Sequence, residues 1–188
     1  MKQVYLDQNV SVQDVICLDV KQAHHIFDVL RTTSKEKIRI VTKNSGVFFG
    51  HVENKPNLVV DSMVDVFEEN QSITLCCALI KQDKFEWMLQ KACELGVHKI
   101  VPFVSKNTVV KLDEKKAEKK LIRWNEILLA ATKQCNRNTL VELEPVITLK
   151  ELSNYKSECN LVAYEKENEP SKHMARYLKD NPQSITVC

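Results

Sequence analysis

The chain has 188 residues, 44% of them apolar and 28% charged, with 27 Lys and Arg against 25 Asp and Glu and a formal net charge of +2. That balance suits one large or two small folded domains and excludes a disordered chain. No run approaches the roughly 20 apolar residues that cross a bilayer, and MKQVYLDQNV at the start lacks the apolar stretch of a secretory leader, so a cytoplasmic protein is expected.

Residues 1–70 read as short strands around one helix. QVYL (3–6) suits a strand. Asp19 is placed to cap a helix over 20–31, with Val20, Ala23, Phe27 and Leu30 at helical spacing and Ile26 beside them as its core face. KIRIVT (37–42) alternates, GVFFGHVE (46–53) follows a turn at Asn44 to Gly46, and LVVDSMVDVFEE (58–69) makes a longer strand after Lys55-Pro56-Asn57. Strands this short on tight turns predict a small barrel or curled sheet.

From residue 71 the pattern changes. ITLCCALI (73–80) is a continuous apolar run, expected of a strand covered on both faces. Asp83 and Glu86 resemble a capping box for a helix with Phe85, Met88, Leu89 and Ala92 on one face, and Gly96 is placed to close it. With KIVPFV (99–104) this makes a βαβ unit. A long helix over 113–135 carries Leu121, Trp124, Leu128, Ala131 and Cys135 in register. A shorter helix near 148–156, a strand at 160–164, a helix near 170–180 and a strand at 183–188 follow. Such alternation predicts a mostly parallel sheet with helices on both faces, with ligands beyond the carboxyl ends of its strands. A parallel strand at 183–188 ordinarily leads to a covering helix, so either a chain cut short at Cys188 or an edge strand is expected, the former in preference.

The seven cysteines include no Cys-x-x-Cys pair and read as reduced, mostly buried thiols. The five histidines have no partners at ligand spacing, so no metal is expected. With glycine only at positions 46, 50 and 96, no phosphate loop or dinucleotide fingerprint exists in these residues. Glu94, at a helix end, reads as a cap or ion pair.

Charge is uneven. Residues 1–70 carry 8 basic and 10 acidic groups, and the remainder 19 and 15, so the halves stand at −2 and +4. Between 99 and 123, eight Lys and Arg face three acids. This is either a solvated helix face or a surface that contacts phosphates. A second basic set comprises Arg31, Lys35, Lys37, Arg39 and Lys43.

Six ordered segments carry a more specific signal: HHIFDVLR (24–31), KQDKFEWMLQKACELGVHKIVPF (81–103), SKNTVV (105–110), RWNEILLAATKQCNR (123–137), Pro145 and AYEKE (163–167). Together they resemble the ribosomal RNA small subunit methyltransferase E family, 16S rRNA uracil-N3 methyltransferases of the knotted SPOUT superfamily. The resemblance spans essentially the whole chain. It implies an α/β protein with a PUA-like RNA-binding β-barrel at 1–70. A SPOUT domain with a mostly parallel sheet follows at 71–188, its C-terminal knot missing from these residues.

The resemblance also implies S-adenosylmethionine as cofactor, 16S rRNA in the small ribosomal subunit as partner, a homodimer and no membrane association. It implies Arg137, in the family's Gln-x-x-Arg position with Gln134, as the catalytic cation. Tyr164 and Glu165 fall on the cofactor side, and His24, Arg31, Lys106, Lys111 and Arg123 on the RNA side. Two departures stand out: Lys2-Gln3 and Asn107 occupy positions where the family carries arginines, with Lys2 and Lys106 as substitutes. The family's Gly-Pro-Glu-Gly-Gly loop is not among these residues, so methyl transfer by this polypeptide is expected to be poor or absent. The competing expectations are an rRNA-binding module without catalysis and a nonfunctional fragment with an exposed sheet edge.

Overall fold

The structure is a computed structural model and describes residues 2–43, 46–66, 71–106, 108, 114–169 and 173–188. The chain divides into two compact units, Met1–Glu68 with Asn136–Thr139, and Glu69–Cys135 with Leu140–Cys188. Asn136–Thr139, one residue beyond the long helix, therefore belong with the N-terminal part of the chain.

In the first unit, β1 (Lys2–Leu6), β2 (Val15–Cys17), β3 (Ile38–Thr42), β4 (Val47–Val52) and β5 (Asn57–Val64) form a curled sheet in the order β1-β3-β4-β5-β2. β1 and β3 are parallel, with Gln3 opposite Arg39, and the other pairs are antiparallel. One face packs Val4, Ile38, Ile40, Leu58 and Val60 against Ile26 of the helical segment. The ladder between β4 and β5 shifts at Phe49/Gly50, where a Cβ on Gly50 would lie 2.2 Å from the carbonyl of Val59. Only glycine allows that approach.

α1 (Val20–Ala23) starts as expected, the Asp19 carboxylate accepting from the Gln22 amide at 2.8 Å, but it continues as a π-helical turn over His24–Val29. The Leu30 amide donates to the His25 carbonyl at 2.9 Å, a five-residue step. Ala23 and Ile26 are buried and Phe27 and Leu30 pack beside them, while Val20, expected in the core, is the first residue of the helix and is 87% exposed. β3 also departs from alternation: all five of its residues are buried. The expected strand over 58–69 ends at Val64. Of the turn expected at Asn44 to Gly46, residues 44 and 45 lie outside the described residues; β3 and β4 are antiparallel neighbours as that turn requires.

The second unit contains β6 (Ser72–Ala78), α2 (Gln82–Glu94), β7 (Lys99–Val104), α3 (Glu114–Gln134), β8 (Glu142–Leu143), β9 (Ile147–Thr148), β10 (Cys159–Leu161), α4 (Met174–Tyr177) and β11 (Ser184–Val187). Its sheet runs β10-β11-β6-β7-β8, with β9 continuing beside β7, and every pair is parallel. β11 lies between β10 and β6, which corrects the alternative of an edge strand. One face is covered by α2 and α3, through Phe85, Leu89, Trp124 and Leu128 on Ile100. The rings of Phe85 and Trp124 stand 4.6 Å apart at 43°, a tilted pair that contributes about 1 kcal/mol beyond its buried area. The other face is thinner: Cys76, Val101 and Phe103 meet Leu152 and Tyr155 of a 3₁₀ helix, Leu149–Tyr155. That is why β6, expected to be covered on both faces, buries only Cys76 fully.

Several local expectations change. Lys81, with no side-chain cap bond, precedes α2, and Glu86 is occupied elsewhere, so the Asp83/Glu86 capping box does not form. The true capping box is Thr148 with Glu151, whose carboxylate takes the Thr148 amide at 2.8 Å and hydroxyl at 2.7 Å. The strand expected at 160–164 is Cys159–Leu161, and the helix expected near 170–180 is Met174–Tyr177, with residues 170–172 outside the described set. Gly96 does close α2. At φ 92° it lets its own amide reach the Cys93 carbonyl at 3.2 Å and the Val97 amide reach Ala92 at 3.0 Å. Both bonds of a Schellman ending are thus made. Gly96→Ala should lower stability by about 1–2 kcal/mol, the strain of an L side chain in the left-handed region, read as a lower urea midpoint at unchanged slope.

Candidate functional site

Parallel strands bring all their carboxyl ends to one edge of the second unit's sheet. β10 leads into Val162–Glu169, β11 into Cys188, β6 into Leu79–Lys81 and β7 into Ser105. Backbone bonds knit this edge: Cys188 donates to Leu161 at 2.9 Å, Ala163 to Cys188 at 2.7 Å and Leu79 to Phe103 at 2.9 Å. Tyr164 and Glu165 stand on the loop that leaves β10, both exposed, Tyr164 by 58%. The exposed side chain of Val162 stands beside them. They form a surface at the position where open α/β sheets bind ligands.

Thiol chemistry is absent from this edge. Burial pushes Cys76 up to about 11 and Cys77 up to about 12, and raises Cys188 as well. These groups stay protonated near neutrality and are poor nucleophiles. No disulfide joins the seven cysteines; only Cys76 and Cys93 are fully buried, and Cys17 is exposed, so the expectation of core thiols holds for two of them. Among the described residues no group of three or more His, Cys, Asp or Glu side chains is arranged to hold a metal ion, and no helix is long and apolar enough to cross a membrane.

Arg137 sits in the first unit with Asn136–Thr139, whereas Tyr164 and Glu165 belong to the second. Its main-chain carbonyl accepts from the Tyr5 hydroxyl at 2.6 Å, from Gln3 Nε2 at 3.3 Å and from the Arg39 guanidinium at 3.4 Å. Arg39 also donates to Gln3 Oε1 at 2.7 Å and to the Asn138 side-chain oxygen. The Arg137 guanidinium itself donates to Thr139 Oγ1 at 3.3 Å. The sequence put Arg39 in a basic set and marked Gln3 only as standing where the family carries an arginine, and Tyr5 was missed. The available signal was an arginine in the middle of an apolar strand, but its partners come from β1 and from a loop about 100 residues later.

His24 stands at the start of the π-helical turn and Arg31 just beyond it. Both are exposed, and Arg31 has φ 46°. His24 Nδ1 lies 2.9 Å from the Asp28 carboxylate, which also receives Lys55 at 2.6 Å. Lys55 and then His24 hold the Asp28 carboxyl below its ordinary range. Lys2, expected to substitute for a missing arginine, is committed to Glu36 at 2.8 Å. In the second unit, Lys106 is exposed in the turn after β7. Lys111 lies outside the described residues. Arg123 is held in a two-pronged pair with Glu86, Nε to Oε1 at 2.7 Å and the second nitrogen to Oε2 at 2.8 Å, which keeps the Glu86 carboxyl low. Lys115, Lys116 and Lys119 of α3 are exposed around it. Glu94 forms the expected ion pair, receiving Lys91 at 2.6 Å.

A family model described as the RNA methyltransferase domain matches residues 67–188. Ribosomal RNA small subunit methyltransferase E of Bacillus subtilis is 29% identical over 165 residues, covering 84% of this chain and 64% of that protein. The protein of that name from Mesomycoplasma hyopneumoniae is 34% identical over 122 residues, 64% of this chain and 51% of its own length. The chain thus spans less than two thirds of these relatives. Among solved structures, the ribosomal RNA small subunit methyltransferase E of Neisseria gonorrhoeae bound to S-adenosyl methionine superposes with a TM-score of 0.81 at 25% identity, covering 100% of this chain and 79% of that one. A methyltransferase from Legionella pneumophila, solved with the same cofactor, shares the fold at a TM-score of 0.83 and 23% identity, covering 98% and 77%.

The Lys2–Glu36 contact gives a direct pH test. The Lys2 ammonium, followed by the Thr33 amide, lowers the Glu36 carboxyl to about 2. A carboxyl depressed in the folded state stabilises the fold above its unfolded pKa, and that contribution fades as pH falls toward 2. NMR titration of Glu36 is expected to give a midpoint near 2 that moves upward in Lys2→Ala.

Proposed function

The chain belongs to the RNA methyltransferase domain family, and on that premise we propose that it carries out S-adenosylmethionine-dependent methylation of uracil N3 in small-subunit ribosomal RNA. The match of the family model across the parallel sheet, over residues 67–188, is the observation that carries this reading. The relatives named for ribosomal RNA small subunit methylation and the cofactor in the two neighbouring structures support it.

When bound, S-adenosylmethionine supplies an electrophilic methyl group on a sulfonium. Uracil N3 carries a proton near neutrality, and N3 becomes a nucleophile once that proton leaves. The charge then spreads over N3 and the flanking carbonyl oxygens, where a fixed cation lowers its energy. Arg137 takes that role. Tyr164 and Glu165, at the carboxyl edge of the sheet, face the cofactor. His24 and Arg31 in the first unit, with Lys106, Lys111 and Arg123 in the second, contact the phosphate backbone, so binding should weaken steeply with salt. The protein works as a cytoplasmic homodimer on the small ribosomal subunit.

The competing reading is an rRNA-binding module without catalysis. One experiment separates the two. Purified protein is incubated with labelled S-adenosylmethionine and unmethylated small subunits, and modified nucleosides are identified by mass spectrometry. Slow but site-specific formation of N3-methyluridine above the protein-free control is expected. Salt-sensitive RNA binding with no label incorporated would establish the binding module instead.

A further inference from the structure

In the first unit, polar groups are buried where a core would use apolar ones. Arg39 is 7% exposed and Gln3 is 6% exposed. The contacts described for Arg39 run to neutral oxygens: Gln3 Oε1, the Arg137 carbonyl and the Asn138 side chain. A buried guanidinium matched by neutral acceptors stabilises a fold no better than apolar groups of the same volume. Stability alone therefore does not account for it.

The bonds share one target. Gln3 Oε1 accepts a hydrogen bond from Arg39 while its Nε2 donates to the Tyr5 hydroxyl at 2.6 Å, and Tyr5 donates to the Arg137 carbonyl at 2.6 Å. Gln3 and Arg39 reach the same carbonyl directly, and Arg39 also grips the next side chain, Asn138. The parallel register that places Gln3 opposite Arg39 fixes both donors on rigid strands. Asn136, with φ 56°, turns the chain sharply just before the gripped residue. A backbone held at both Arg137 and Asn138 has little freedom in where the Arg137 side chain begins, and Thr139 Oγ1 then receives its guanidinium at 3.3 Å.

We propose that Gln3, Tyr5 and Arg39 are positioning residues for Arg137: they clamp its peptide so that its guanidinium meets the RNA substrate in one orientation. The proposal rests on the reading of Arg137 as the cation that faces the uracil. The clamp acts through preorganisation, since a cation free to wander is a weaker partner for a developing anion.

The test is a double-mutant cycle on the protein as it exists, with labelled small-subunit ribosomal RNA as probe. Tyr5→Phe removes one hydroxyl and keeps the ring, so the fold survives, and a thermal melt within a few degrees of wild type confirms this. Loss of the Arg137 side chain in R137A is expected to weaken RNA binding about tenfold. Tyr5→Phe alone is expected to weaken it about fivefold, the size of one hydrogen bond, and to add nothing in the R137A background. An equal loss in both backgrounds, or no loss in either, would overturn the clamp while leaving Arg137 as an RNA contact. RNA binding indifferent to R137A would overturn both the clamp and the role of Arg137. No RNA binding by the wild-type chain would remove the functional reading and the clamp together.

Discussion

Parallel pairing governs the second unit. Two parallel strands cannot be joined by a tight turn, so the steps from β6 to β7, β7 to β8, β9 to β10 and β10 to β11 each pass through a helical connection that can cover a face of the sheet. α2 and α3 cover one face with Phe85, Leu89, Trp124 and Leu128, and the 3₁₀ helix Leu149–Tyr155 covers part of the other. The same connectivity sends every strand end to one edge. Tyr164, Glu165, Lys106 and Cys188 share that edge because of topology, since their sequence positions are far apart.

The first unit follows a different logic on its two faces. One is an ordinary apolar core of Ile26, Ile38, Ile40, Leu58 and Val60. The other carries Gln3, Tyr5 and Arg39 beneath a segment that returns from the end of the long helix. Polar burial of this kind requires every donor and acceptor to be matched, and the parallel register of β1 with β3 supplies the matching. An alternating strand pattern cannot distinguish such a face from a solvated one.

Charge on the surface divides between pairs and unpaired display. Glu86–Arg123, Lys91–Glu94, Lys2–Glu36 and Asp28–Lys55 commit cations to local partners. Exposed pairs like these contribute little to stability, and they set which cations face solvent with their charge uncompensated. On α3, Lys115 and Lys119 stand exposed beside the Arg123 pair, so the basic stretch seen in the sequence is a partly neutralised surface with a cationic rim.

Much was legible in the residues themselves. Period and punctuation located the strands, the two long helices and the Gly96 ending, because these depend on side chains three or four residues apart and on the one residue that tolerates φ 92°. The ordered segments from residue 24 to 167 carried the family. Local spacing misjudged Val20, which opens its helix and stays in solvent, and Glu86, because a partner 37 residues away outcompeted the helix start. The clamp on Arg137 was beyond any local pattern. It joins positions 3, 5, 39 and 137, and only the folded chain brings a strand register and a distant loop to the same carbonyl. Sequence alone determined which segments become strands and helices, since those choices are made by neighbours along the chain. Tertiary structure decided which polar groups are buried and whom they hold, since hydrogen bonds over 100 residues apart are fixed by topology.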